Sequence, residues 1–274
     1  MSPLWRDRMR VFLAPERVDM ARLRKGLKPK QAVRVTAMCE QKPGLPAWEA
    51  PLEQFERIIE HADGVDMSVT ISNAFVRYVV LPAQPSIATP AELHAYAAFQ
   101  VREVYGERVG TWVISISAWD PCSGGVCAAM ERSFLERLTE ISSQRKARLK
   151  YVEPYLTGAF DHWYKRFNSN RAWFALLETG RICIALLENG AWQRISNQRI
   201  LHDAEDELIA VLHQEAILFS GRKEADETVY LFAPEHREFA LPEGCGWRVA
   251  PLQTESMPAP PHSPTIAEIR AGAI

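Results

Sequence analysis

The 274 residues carry 47% hydrophobic side chains and a formal net charge of −2. That apolar content can build one large core or two smaller ones. The near-neutral charge excludes general attraction to nucleic acid or anionic membrane, and no stretch reaches the ~20 apolar residues that span a bilayer.

The longest apolar runs, near 75–83 and 173–187, are broken by Arg77 and by Glu178 and Arg181. Near the N-terminus, Arg6, Asp7, Arg8 and Arg10 interrupt any signal-peptide core, so a cytoplasmic location is expected. Five cysteines form an odd set without secretory context and read as reduced thiols.

In chain order, RVFLAPERVDMARLR (10–24) predicts a strand, a turn at Pro15-Glu16 and a second strand. A turn through KGLKPK leads into a third strand over 31–38. LEQFERIIEHA (52–62) places Leu52, Phe55, Ile58 and Ile59 on one helical face. Residues 66–72 and 75–81 are expected to form a hairpin around Asn73-Ala74. Thr89-Pro90-Ala91-Glu92 has the form of a helix start, with Thr as N-cap, and the helix should end at Gly106. Strands over 111–118 and 126–130 flank DPCSGG, and a helix over 131–146 follows. The second half predicts a helix over 153–167, strands over 171–178, 181–188 and 191–199, and a helix over 203–219. Strands over 228–233 and 246–250 complete it, before a Pro-rich tail expected to be flexible.

The halves can be laid over each other. Arg10–Ala14 matches Arg171–Ala175, and Val18–Gly26 matches Ile182–Gly190, each followed by a third strand. In the second half Ile182, Ile184 and Leu186 alternate with Cys183, Ala185 and Leu187, which predicts a strand covered on both faces. The expected fold class is α/β, an actin-like (ribonuclease H-like) duplicated fold with two subdomains of mixed sheets flanked by helices. The expected division is 9–150 and 151–252, with 253–274 as the tail.

VTISNAFVRYVVLP, then TPAELHAYAAFQVREVYG, then TWVISISAWD resemble the actin-like PilM proteins and the GspL cytoplasmic domain of type IV pilus and type II secretion machines. In outline the resemblance covers about residues 9–250, carried by the order of elements rather than by a catalytic signature. It implies a non-catalytic cytoplasmic scaffold that captures the cytoplasmic segment of a PilN-like bitopic inner-membrane protein in a groove of the first subdomain. Association with the membrane periphery follows from that role. GspL-like chains carry a transmembrane helix after this domain, whereas a Pro-rich tail stands here.

The alternative is an actin-like ATPase or ATP-binding protein, which needs turns that admit phosphate and an Asp to hold Mg²⁺. The first turn, Ala14-Pro15-Glu16-Arg17-Val18, has no glycine and lacks the Asp; Asp19 falls within the second strand. The second turn, Glu178-Thr179-Gly180, keeps the shape of a phosphate turn and reads as a degenerate cofactor site, or as a plain hairpin turn with a solvated Glu. The late strand runs into Pro234-Glu235-His236-Arg237, where a glycine pair would pack against adenine. Two of three parts fail, so ATP with Mg²⁺ is disfavoured and no cofactor or catalytic residue is expected.

Cys122-Ser-Gly-Gly-Val-Cys127 lacks a second ligand pair and reads as a turn, so no metal site is expected. Arg22, Arg24 and Lys25, with Lys28 and Lys30, make a basic strand end. It is either a solvated edge or a docking edge for an acidic partner or anionic lipid.

Overall fold

The computed structural model describes residues 6–24, 33–168, 170–220, 227–236, 239–242 and 244–252. The expected tail and Lys25, Lys28 and Lys30 lie outside them.

The chain begins with an antiparallel meander, β1 (Arg8–Ala14), β2 (Arg17–Leu23) and β3 (Val33–Met38). Helix α1 (Glu49–Ile58) returns it to β4 (Asp66–Ile71), which lies parallel to β1 with Val69 beside Val11. An excursion follows: β5 (Arg77–Leu81), α2 (Pro90–Tyr105), a 3₁₀ turn (Glu107–Thr111), β6 (Trp112–Asp120) and β7 (Gly124–Glu131). Helix α3 (Arg132–Gln144) brings the chain back to β8 (Arg148–Pro154), parallel to β4. The first sheet has the order β3-β2-β1-β4-β8, and the excursion forms its own sheet, β5-β7-β6.

After α4 (Tyr155–Trp163) the plan recurs. A meander of β9 (Arg171–Glu178), β10 (Arg181–Glu188) and β11 (Ala191–Arg199) precedes α5 (Ala204–Ser220), β12 (Thr228–Phe232) and β13 (Arg248–Pro251). The sheet order is β11-β10-β9-β12-β13, with β12 parallel to both β9 and β13. Strand for strand this repeats the first sheet in position and direction, as the overlay of the halves predicts.

Burial periodicity explains the layers. Along β10, Cys183, Ala185 and Leu187 enter a core shared with Val11, Leu13, Val69 and Ile71 of the first sheet. Residues of α1, α3 and α4, including Phe55, Phe134, Leu138 and Leu156, complete that core. Ile182, Ile184 and Leu186 face the other way, against Leu208, Leu212 and Ala216 of α5. β10 is therefore covered on both faces, as its two-sided apolar pattern predicts. A third cluster lies between α2 (Ala97, Val101) and the small sheet (Val79, Leu81, Cys127, Ala129).

Two expectations are corrected. Residues 66–72 and 75–81 do not form a hairpin, because β4 pairs with β1 and β8 while β5 pairs with β7. Asn73 between them is fully buried and hydrogen-bonded on several sides, so the chain crosses from one sheet to another there. Strand β8 is absent from the sequence reading, which starts a helix at 153 instead. RLKYVEP alternates only over its first four residues, and β8 is a partly exposed edge strand that needs only one pairing partner. The expected division at 150/151 falls inside β8.

The turn from β6 to β7 depends on a glycine. Gly124 has φ +83°, and a Cβ there would lie 2.2 Å from the carbonyl oxygen of Leu81. Gly124→Ala is expected to destabilise the protein by about 1–3 kcal/mol through strain and displacement of β5. Urea unfolding tests this, and an unchanged midpoint contradicts the packing described.

Candidate functional site

Because the halves repeat, their first hairpin turns occupy matching places. The β1–β2 turn at Pro15-Glu16, the β9–β10 turn at Thr179-Gly180 and the segment Pro234-Glu235 after β12 are tied together by one network. Arg17 Nε donates to Asp19 Oδ2 at 2.7 Å, and its Nη1 donates to Glu235 Oε2 at 3.1 Å. Nη2 donates to Glu235 Oε1. The Thr179 backbone N–H donates to Glu235 Oε2 at 2.7 Å, and the Thr179 hydroxyl donates to the same oxygen at 2.6 Å. The Arg17 guanidinium also lies over the Phe12 ring, 5.4 Å from its centroid.

This ion pair is well shielded, its side chains 18% and 16% exposed. Burial alone would raise the Glu235 carboxyl, yet hydrogen bonds from Arg17 and Thr179 hold it below the ordinary carboxylate range. Burial lowers Arg17, but its hydrogen bonds to Glu235 and Asp19 outweigh that and raise it overall. Both groups are charged at neutral pH.

The network bears directly on phosphate binding. A phosphate turn works by presenting free backbone N–H groups to an anion. Here the Thr179 N–H is already bonded to a carboxylate, which repels an incoming phosphate. Gly180 has φ +70°, and nothing lies within 4 Å of where its Cβ would stand. It serves the handedness of the turn rather than a close backbone approach. Asp19, the aspartate nearest in sequence to the first turn, accepts from Arg17 and, at 2.6 Å, from the Thr36 hydroxyl. Among the described residues no group of three or more His, Cys, Asp or Glu is placed to hold a metal ion. With the Thr179 N–H bonded to Glu235 and Asp19 bonded to Arg17 and Thr36, the residues at these turns do not fit a magnesium nucleotide.

Glu178 is not a solvated turn residue. Its residue surface is 3% exposed, and Oε1 accepts from the Asn73 backbone N–H at 3.1 Å and from Asn73 Nδ2 at 2.5 Å. Asn73 Oδ1 accepts in turn from the Tyr78 hydroxyl at 2.6 Å and the Leu156 N–H at 3.1 Å. Asn197 Nδ2 donates to the Asn73 carbonyl oxygen at 2.8 Å. One buried cluster thus joins β9, β11, the β4–β5 crossing and the start of α4. Burial pushes the Glu178 carboxyl up to about 7, against hydrogen bonding from Ser72 and Asn73.

Glu178, Thr179 and Gly180 are contiguous in space but divided in role: Glu178 belongs to the buried cluster, Thr179 to the cleft network. Arg22 lies elsewhere, on β2, and is engaged with Asp7 Oδ2 at 2.9 Å and the His61 carbonyl oxygen at 2.9 Å. Arg24 is exposed beyond the end of β2. The sequence reading assigned no role to Arg17, Glu235 or Asn73. No local signal marks the pair, because each segment carries both signs, Glu16-Arg17 in one and Glu235 with Arg237 in the other.

A groove of about 520 Å³ runs along the first half, between the end of α2, the small sheet and the start of α3. Arg77, Val104, Tyr105, Arg108, Trp112 and Glu131 are among the residues that line it. Glu131 Oε2 accepts from Trp48 Nε1 at 2.7 Å, and Trp48 stacks on Phe134. The groove's acidic wall is therefore anchored to the core.

The position of Glu178 predicts a pH signature. A carboxyl whose folded pKa is about 7, above its ordinary 4.5, favours the folded state when protonated. Between about pH 4.5 and 7 the group ionises in the unfolded chain while it stays protonated in the folded one, so stability falls as pH rises, at up to about 1.4 kcal/mol per pH unit. Glu178→Gln should flatten that decline; parallel pH–stability curves for the two proteins contradict the burial argument.

No family model matches the sequence, and no curated protein matches it. Solved structures do. The cytoplasmic domain of EpsL, an inner-membrane component of the type II secretion system of Vibrio cholerae, aligns over 90% of each chain, with TM-score 0.58 and 9% identity. A PilM–PilN type IV pilus biogenesis complex aligns over 89% of this chain and 87% of the matched one, with TM-score 0.60 and 12% identity. A Bacteroides thetaiotaomicron protein with an actin-like ATPase fold aligns over 84% of each, with TM-score 0.56 and 11% identity. The chain has the actin-like fold, in the arrangement found in the EpsL cytoplasmic domain and the PilM–PilN complex.

Proposed function

We propose that this protein is a non-catalytic scaffold on the cytoplasmic face of a pilus or secretion machine. In this reading it holds the cytoplasmic segment of a PilN-like inner-membrane protein. The observation that carries the reading is the Arg17–Glu235 pair, which spends the groups a phosphate needs on joining the two halves. Supporting it, two similar folds come from such machines, one being a complex of PilM with PilN and the other the cytoplasmic part of an inner-membrane component. No helix among the described residues is long and apolar enough to cross a membrane; in this reading the partner supplies the attachment.

The groove beside α2 is the docking site in this reading. Its aromatic lining suits an extended peptide, because Tyr and Trp contribute much of the energy at interfaces. Arg108 and Glu131 flank it with opposite charges that would set the direction of the peptide. The basic strand end of Arg22, Arg24 and Lys25 is a separate contact; of its described residues Arg24 is exposed and Arg22 is engaged with Asp7.

Two measurements test the reading. A labelled peptide carrying the partner's cytoplasmic segment should bind the full chain, and Trp112→Ala should weaken it by about tenfold or more. Mg-ATP should leave the melting temperature unchanged, because a ligand that binds only the folded state raises it. A rise of several degrees with Mg-ATP, or no peptide binding, overturns the reading.

A further inference from the structure

Three arginines meet where the small sheet approaches the second meander. Arg181 opens β10 and Arg199 closes β11, and the two are direct cross-strand partners. Arg77 opens β5. Together with Tyr105 and Asn197 they line a depression of about 280 Å³, next to the groove described above and sharing Arg77 and Tyr105 with it.

Like charges directly opposite on paired strands repel, so this placement is unfavourable without a counter-charge. Among the described residues no carboxylate forms an ion pair with Arg77, Arg181 or Arg199. Most of their donors are also unspent. Arg77 uses Nη1 on the carbonyl oxygens of Ala74 and Val76, at 3.3 and 3.0 Å. Arg181 uses Nη1 on Asn197 Oδ1 at 3.0 Å. Each guanidinium has five N–H donors, so a multidentate donor set remains around the depression.

Asn197 ties the arginine-bearing strands to the segment between β4 and β5. Asn197 accepts from Arg181 while donating to the carbonyl oxygens of Asn73 and Val76, at 2.8 and 3.2 Å. Arg181 is held below the ordinary arginine range by burial and by the charges of Arg77 and Arg199, with Glu178 acting in the opposite sense. That cost is relieved when an anion enters.

We propose that the depression lined by Arg77, Arg181 and Arg199 is a binding site for a compact, multiply charged oxyanion. Forked guanidinium donors match the paired oxygens of phosphate and carboxylate groups. The volume suits one or two such groups rather than a whole nucleotide, since ligand pockets for larger molecules start at roughly 300 Å³. The site lies apart from the Arg17–Glu235 cleft and stands whether or not the neighbouring groove takes a partner peptide.

Calorimetric titration of the full chain tests it, with pyrophosphate in one arm and glutarate in the other. At least one should bind, more weakly at higher salt, and Arg199→Ala should weaken it by about tenfold or more. The arm that binds tighter identifies the anion as a phosphate or a carboxylate. Arg199 is exposed, so the variant should fold; a matching thermal melt checks this. The proposal is overturned if neither anion binds at millimolar concentration. It is equally overturned if Arg199→Ala binds like the parent, or if Arg17→Ala rather than Arg199→Ala abolishes binding.

Discussion

The guanidinium of Arg17 belongs to the first hairpin, and the carboxylate that it meets follows the fourth strand of the second repeat. Between them stands Thr179, whose backbone and hydroxyl both donate to that carboxylate. A fold made of two similar halves has to join them across a cleft lined by polar turn groups. A bound anion is one way to supply the joining charge. Here an internal ion pair supplies it, with side chains 18% and 16% exposed and therefore largely shielded from solvent. One pair thus closes the turns, satisfies the Thr179 N–H and leaves the buried Glu178–Asn73 cluster free to align the sheets from beneath.

Much of the fold was legible because it rests on short-range periodicity. The strand that reads ICIALL is apolar on both faces, and it is covered on both faces by separate clusters. The overlay of Arg10–Ala14 on Arg171–Ala175 pairs β1 with β9, which hold equivalent positions in sheets of the same order, but both hairpins have two-residue turns, so Ala14 matches Glu178, three residues beyond the overlay. What was not legible depends on pairing at a distance. β8 shows little periodicity because it is an edge strand, fixed by β4 alone. The sequence around Asn73 looks like a turn, and only the buried partners Glu178, Tyr78 and Leu156 reveal a crossing between sheets.

The site followed the same division. Residues in the three turn segments could be named from sequence, and the loss of phosphate-turn character was visible in Pro15 and in the absent glycines. That Arg17 and Glu235 neutralise each other was not visible, because 218 residues separate them and neither sits in a motif. Glu178 was misjudged as solvated for a related reason. A carboxylate beside a turn glycine is usually exposed, and its burial here rests on Asn73, which is 105 residues away. The arginine depression likewise appears only when the ends of β10 and β11 are set beside β5.

The central claim is that Arg17 and Glu235 form one energetic unit joining the halves. A double-mutant cycle on Arg17→Ala and Glu235→Ala, read by chemical denaturation at neutral pH, measures that unit directly. The account predicts a coupling of about 1–3 kcal/mol: Arg17→Ala leaves Glu235 to the Thr179 donors alone, Glu235→Ala leaves Arg17 to Asp19 alone, and the double variant recovers part of the loss. Strictly additive losses would show that the two side chains do not act on each other and would contradict the account.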